Sequence, residues 1–328
     1  MSRSSVIVVA LLAWLTGCGG AERPRPAAVA QPAAVAPETP PAPSAPEPDA
    51  TTPLAEVEDA PMTAPELPPG HRLLAGRGIR HRLIHFTFDD GPRAATTPRL
   101  LDHLSRYGVR ATFFVVTRAL EDPRRMETAR ATLERMAADG HNIGLHGHDH
   151  TGFRNLSDQE LRQQLRHGAE LVQAIAGQTP HLVRPPYGGH DRRTDRIVAR
   201  LGLRQVLWSM TPERPRHDGQ EAIVAQFREQ LAVREADPHP GTIVLFHDTR
   251  PWVVEAMPRI FRHLRRRNCM ILREGGELWD VVPTIEALHG FDDAQVEQRQ
   301  AQLRRDIVRR CPTGPEDPRD DDAVADAR

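Results

Sequence analysis

From about residue 77 to residue 275, short apolar runs alternate with longer segments whose apolar positions recur every three to four residues. The run Leu83-Ile84-His85-Phe86 is apolar and β-prone, and Gly91-Pro92 stops it abruptly. The same pattern predicts strands at Leu83–Phe88, Ala111–Val116, Asn142–His146, Leu182–Pro186, Gln205–Met210, Thr242–His247 and Cys269–Leu272. Between them, helical periodicity covers residues 96–107, 124–138, 157–176, 191–201, 219–234 and 252–267. The third of these opens with Ser157-Asp158-Gln159-Glu160, a capping box. Seven strands alternating with helices predict a parallel α/β sheet, closed as a barrel. Past Gly290 the chain turns arginine- and glutamine-rich and then acidic, which predicts one more helix (Asp292 to Arg310) and a disordered end, so that residues 291–328 form a tail.

The N-terminal quarter has a different texture. Arg3 precedes an apolar stretch, Val6 to Leu15, too short to span a bilayer as a stable helix. It ends in Leu15-Thr16-Gly17-Cys18, which resembles the bacterial lipoprotein cleavage box. That resemblance implies a signal peptide over residues 1–17, cleavage before Cys18, and a lipid on its sulfur. An exported, periplasm-facing protein anchored to the membrane is then expected. Gly19 after the cysteine, rather than aspartate, favours the outer membrane. Residues 18–75 are dominated by Pro, Ala, Glu and Thr and read as a disordered tether. The net charge of −1 gives no global field for nucleic acid, and a monomer is expected. Every basic residue other than histidine is arginine, and these alternate with acids along the predicted helices, as on a solvated surface. Cys269 and Cys311 remain, and an exported location permits a disulfide between them without requiring one.

The polar motifs fall at one end of the predicted sheet. Thr87-Phe88-Asp89-Asp90-Gly91-Pro92 puts two adjacent carboxylates at the end of the first strand, where mutual repulsion calls for a cationic partner. In His146-Gly147-His148-Asp149-His150, His146 and His150 stand four residues apart and can face one point. One carboxylate and two imidazoles are a common ligand set for a divalent metal with open positions, which leaves the second carboxylate free as a base. Arg184 lies beside Pro185-Pro186-Tyr187-Gly188, and His247 with Asp248 closes the sixth strand. Alone, a DD-G-P run is a solvated turn and a pair of spaced histidines is helix surface. Together, every candidate lies at a strand's carboxyl end, where barrel active sites are built.

T-F-D-D-G-P, H-G-H-D-H, R-P-P-Y-G and L-F-H-D-T occur in the order found in the polysaccharide deacetylase (NodB-homology, carbohydrate esterase family four) proteins, which residues 76–290 resemble. The resemblance implies a distorted (β/α)7 barrel and a metal-dependent hydrolase that removes acetate from an N-acetylated polysaccharide. Residue by residue it implies Asp90, His146 and His150 as ligands of zinc, with cobalt or manganese as substitutes. It implies Asp89 as general base, Arg184 holding that base ionised, and His247 as general acid. It further implies the backbone N–H of Tyr187 as oxyanion donor and Leu245 lining the pocket for the acetyl methyl.

Two positions depart from the family pattern. The family has Ser or Thr where this chain has Gly147, so that brace is lost. Its fourth motif supplies an aspartate that tunes the acid histidine; here Thr211, Arg214 and Pro215 occupy the motif, with Glu213 a substitute that spacing alone does not establish. These departures keep two alternatives open: an O-acetyl glycan esterase or other amidohydrolase on the same barrel, and an inactive glycan-binding lipoprotein. His148 reads as outward-facing rather than as an extra ligand, Asp191 as a helix cap, Trp208 as core rather than a sugar platform, and Asp248 as a buttress of the loop.

Overall fold

The computed structural model describes residues 73–213 and 219–311. Cys18, the signal segment, nearly all of the tether, Arg214, Pro215 and the acidic end lie outside the described residues. In chain order the strands are β1 (Leu73–Leu74), β2 (Leu83–Asp89), β3 (Thr112–Val115), β4 (Asn142–Leu145), β5 (Leu182–Val183), β6 (Arg204–Val206), β7 (Thr242–His247) and β8 (Asp280–Val281). The helices are α1 (Thr97–Arg106), α2 (Met126–Ala138), α3 (Asp158–Ala176), α4 (Arg192–Arg200), α5 (Gln220–Glu235), α6 (Pro251–Glu274), α7 (Ile285–Gly290) and α8 (Asp293–Val308).

All strand pairings are parallel, in the order β1-β6-β5-β4-β3-β2-β7, with β8 against the start of β2. The chain after β6 completes the circuit: Met210 bridges Val244 of β7, and its carbonyl accepts the Leu245 N–H at 2.9 Å. The result is the expected distorted (β/α) barrel. β2 is buried along its whole length, because helices cover it outside and side chains fill the lumen. Its alternation assigns the two faces. Phe86 and Phe88 turn outward, stacking on Phe246 and packing against Phe261 of α6 or Phe113 of β3. His85, Thr87 and Asp89 therefore point into the lumen, with Asp89 at the carboxyl rim. The inner cluster of Leu83, Phe114, Leu182, Val206 and Ile243 is continued by Ile285, Ala287 and Leu288 of α7.

One expected strand is absent. Cys269–Leu272 lies inside α6, which runs on to Gly275 in the left-handed conformation. The buried positions Met257, Ile260, Phe261, Leu264, Asn268 and Ile271 keep a spacing of three to four, so the short apolar run belongs to the helical stripe; a run of four residues cannot show this by itself. The strand at that point of the sheet is β8, two residues long. Leu73–Leu74, expected within the tether, pairs with β6 instead. The tail helix forms as α8, packs Leu303 and Ile307 into the main core, and is tied to α6 by a Cys269–Cys311 disulfide.

Candidate active site

Three non-glycine residues have left-handed backbone among the described residues, and all are at the carboxyl rim: Asp90 (φ 78), His150 (φ 66) and Tyr187 (φ 60). Such conformations are costly for side-chain-bearing residues and gather at sites where geometry is functionally constrained. At Asp90 the turn separates the two carboxylates. Asp89 stays in the strand, 2% exposed, and Asp90 swings across the rim. Gly91 makes the next step feasible, since a Cβ there would lie 1.9 Å from Asp248 Oδ2.

Asp89 is clamped. Arg184, fully buried, donates from Nη1 to Asp89 Oδ1 at 2.7 Å and to Thr87 Oγ1 at 2.8 Å. Its other nitrogens reach the carbonyls of Val206 (3.3 Å) and Leu207 (3.1 Å). The guanidinium lies 4.2 Å over the Phe114 ring and 5.7 Å from Trp208, so Trp208 packs beside the buried cation. A buried carboxylate hydrogen-bonded to a buried cation is held in one orientation.

Asp90 Oδ1 is 3.1 Å from His150 Nε2 and 3.5 Å from His146 Nε2, and the three donor atoms lie within 4.8 Å of one another. His146 donates Nδ1–H to the Arg184 carbonyl at 2.7 Å, which leaves the Nε2 lone pair facing the cluster. This is how metal-ligating imidazoles are oriented. Burial holds His146 below the ordinary histidine range, in its neutral, ligating form. For Asp90, burial alone would raise the pKa, but His150, His247 and His146 together hold it below the usual carboxylate range. Asp90 Oδ1 is buried and makes no hydrogen bond, which leaves its charge directed at the point where the two imidazoles converge. These donors fit a divalent cation.

β2 and β7 pair so that Asp89 is the register partner of His247. The candidate base and acid thus stand on neighbouring strands at the same height, with His247 Nε2 3.9 Å from Asp90 Oδ2. Glu213 does reach His247. The His247 backbone N–H donates to Oε1 at 2.6 Å, and its ring Nδ1 is 3.1 Å from Oε2. Arg250 in turn holds Glu213 Oε2 at 2.6 Å. Burial alone would lower the His247 pKa; the Glu213 hydrogen bond and charge, with Asp89 and Asp90, raise it above the ordinary value. Leu245, the register partner of Thr87, sits two residues before His247 on the lumen face, 5% exposed.

The remaining candidates divide clearly. Gly147 has φ +78, a conformation glycine adopts without strain. The loop is braced elsewhere: Gln164 of α3 accepts from the His148 N–H (3.0 Å) and donates to Asp149 (3.2 Å), while the N–H groups of Thr117 and Arg118 reach the carbonyls of Gly147 and His148. His148 points away from Asp90. Asp191 caps α4 with Thr194, and His190 pairs with Asp195 at 3.0 Å. Thr211 is pinned by Gln230 through both backbone groups. Asp248, fully buried, accepts from Thr97 Oγ1 at 2.5 Å and so holds the start of α1. Burial, with help from Asp90 and Asp89 and against the Thr97 bond, pushes its carboxyl up to about 7. Sequence reasoning missed Thr87 and Gln164. Thr87 was accessible as the residue two before Asp89 on the same strand face; nothing in the sequence marked Gln164.

A parallel barrel with these donors at its carboxyl rim has the build of a barrel hydrolase with a cation-binding centre. A family model described as polysaccharide deacetylase matches residues 77–206, and the chain belongs to that family. It is 31% identical over 214 residues to a chitooligosaccharide deacetylase of Azorhizobium caulinodans, an alignment covering 63% of this chain and 90% of the relative. It is 32% identical over 183 residues to the peptidoglycan-N-acetylmuramic acid deacetylase PdaC of Bacillus subtilis, covering 56% of this chain and 36% of the relative. A solved deacetylase with substrate superposes with a TM-score of 0.51 at 30% identity, covering 64% of this chain and 92% of that one. The chain spans about a third of the length of the peptidoglycan deacetylases it matches.

Proposed function

We propose that the protein hydrolyses the N-acetyl groups of an N-acetylated glycan, with peptidoglycan N-acetylglucosamine as the favoured polymer. The observation that carries this reading is the register pairing of Asp89 with His247 beside the Asp90–His146–His150 cluster. The names of the relatives, peptidoglycan and chitooligosaccharide deacetylases, support the substrate class.

In this reading Asp90, His146 and His150 hold a divalent cation, zinc by preference, with cobalt or manganese as substitutes. When bound, such a cation polarises an amide carbonyl and lowers the pKa of water. Asp89, oriented by Arg184, takes the proton of the attacking water as its oxygen bonds to the acetyl carbon. The Tyr187 backbone N–H would stabilise the charge that develops on the carbonyl oxygen. Leu245 borders the space for the methyl. As the carbon–nitrogen bond breaks, His247 gives its Nε2 proton to the departing amine, and Glu213, hydrogen-bonded to Nδ1, stabilises the protonated ring. Acetate and a free amino sugar are the products. The contact from Glu213 removes the main argument for an inactive binder, because the altered fourth motif still delivers a carboxylate to the acid.

The N-terminal pattern supports a setting at the cell envelope, with Cys18 as lipid anchor and the following segment as tether. No helix among the described residues is long and apolar enough to cross a membrane. The test is acetate release by the purified protein from N-acetylglucosamine polymers with zinc, cobalt or manganese, and its loss with a chelator. Folded protein that releases no acetate with any metal or glycan would overturn the reading.

A further inference from the structure

The loop that carries His146 and His150 has a second face. On it, His148 turns outward toward Glu121, which follows the 3-10 turn Thr117–Leu120, and toward His167 of α3. His167 Nε2 is 2.8 Å from Glu121 Oε2, and His148 Nε2 is 4.0 Å from the same oxygen. The two rings are 5.5 Å apart at 60°, and one donor atom from each of the three residues lies within 4.8 Å of the others. A surface ion pair would account for Glu121 and His167 alone. It does not account for His148, whose orientation is fixed from behind: its Nδ1 is 3.1 Å from Thr117 Oγ1. A hydroxyl accepting Nδ1–H leaves the Nε2 lone pair facing Glu121, the arrangement that orients metal-ligating imidazoles. A groove of about 750 Å³, bordered by His148, His167, Gln163, Gln164 and Arg166, runs beside the two imidazoles and leaves room for water as a further ligand.

We propose that Glu121, His148 and His167 form a second divalent transition-metal site, distinct from the Asp90 cluster. One carboxylate and two imidazoles, with the remaining position open to solvent, suit zinc. The three ligands come from three elements. An ion here ties the loop between His146 and His150 to α3 and to the 3-10 turn, adding to the brace that Gln164 supplies where Gly147 has no side chain. The site thus stiffens the backbone that sets the spacing of His146 and His150, without touching the reacting groups.

The experiment is zinc titration of the metal-free full chain against a chromophoric chelator, with bound zinc counted after gel filtration. Wild type should hold two equivalents, His167→Gln one, and Asp90→Asn one. The thermal midpoint of wild type should rise with the second equivalent, and that of His167→Gln should not. His167 lies on the solvent side of α3, and glutamine keeps a polar partner for Glu121, so circular dichroism should match wild type. An unchanged count in His167→Gln, or a single wild-type equivalent that Asp90→Asn abolishes, overturns the proposal. Either result leaves the deacetylase reading intact, because the readout is stoichiometry rather than acetate release.

Discussion

At the amino half of the barrel, buried polar side chains close on one another. The His85 ring nitrogens meet the Val282 carbonyl at 2.8 Å and Thr112 Oγ1 at 2.9 Å. Asn268 exchanges two hydrogen bonds with the Trp279 backbone, and Gln300 does the same with Leu278. His141 Nε2, buried without a hydrogen bond, is an exception among the described residues. At the carboxyl rim the same kinds of groups are held from behind and left open in front. His146 spends Nδ1 on a carbonyl, Asp89 spends one oxygen on Arg184, and Asp90 Oδ1 has no hydrogen bond at all. Buried polarity with every valence closed fixes a core. Buried polarity with its free valences converging is a site, and it is retained against the cost of desolvation.

The sharpest way to break this contrast is to keep the rim's shape and remove its chemistry. Asp89→Asn preserves the volume and a hydrogen bond from Arg184 but cannot take a proton. Turnover should fall about 10³-fold, within the range for a general base and equal to about 4 kcal/mol of barrier. Zinc binding should persist, because Asp90, His146 and His150 are untouched. Equal activity in the two proteins, measured as acetate release, would mean that Asp89 is a core residue like those at the other end. Asp90→Asn should instead lose one zinc equivalent along with activity, and isothermal titration separates the two results.

The closed end predicts a stability effect without a catalytic one. Burial, opposed by the Val282 hydrogen bond, holds His85 down to about 4, and His141 is likewise held to about 4 by burial. Above pH 6.5 both states of the protein carry neutral His85, and its stabilising contribution is complete. As pH falls from about 6.5 toward about 4, the unfolded chain takes the proton and the folded one does not, so stability declines. The loss is roughly 3 kcal/mol for His85 over that window. His85→Asn should be less stable at pH 7 and flatter across the window in urea melts. A wild-type slope shared by the variant would show that His85 is not held neutral by the fold.

What the sequence disclosed, and what it hid, follows the same division. Asp89, Asp90, His146, Arg184 and His247 were legible because strand ends are sharply marked by β-prone runs and breakers, and one rim collects them. The longer helices were legible from their periodicity, with the end of α6 misplaced because Cys269–Leu272 is too short for its period to speak and the six-residue α7 not foreseen. β1, β5 and β8 have two residues each, and their pairing depends on neighbours far along the chain. Gln164 and Thr117, which brace the His146–His150 loop, lie on separate elements that only the packing brings together. Glu213 was visible as a carboxylate of uncertain use. Its bond to His247 depends on where the chain after β6 passes β7, and no local pattern records that.

Glu213 gives the smallest and most discriminating test. In the proposed mechanism His247 acts as an acid and must be protonated, and the neighbouring carboxylates raise its pKa above the ordinary value. Activity is then retained as pH rises until the folded pKa is passed, and declines beyond it. Glu213→Gln keeps one acceptor oxygen in place of two and removes a charge 3.1 Å from Nδ1. The alkaline limb of kcat/KM should move down by roughly one pH unit, the lower end of what one adjacent charge does to a titrating group. Near neutral pH the rate should fall only about tenfold, equal to about 1.4 kcal/mol. Glu213→Asp, one methylene shorter, restores the charge but must stretch to His247, so its limb should lie between the other two. A uniform loss of rate with no movement of the limb would make Glu213 a mere packing neighbour of Arg250 and His247. That result would place the carboxyl rim's acid under the control of Asp89 and Asp90 alone.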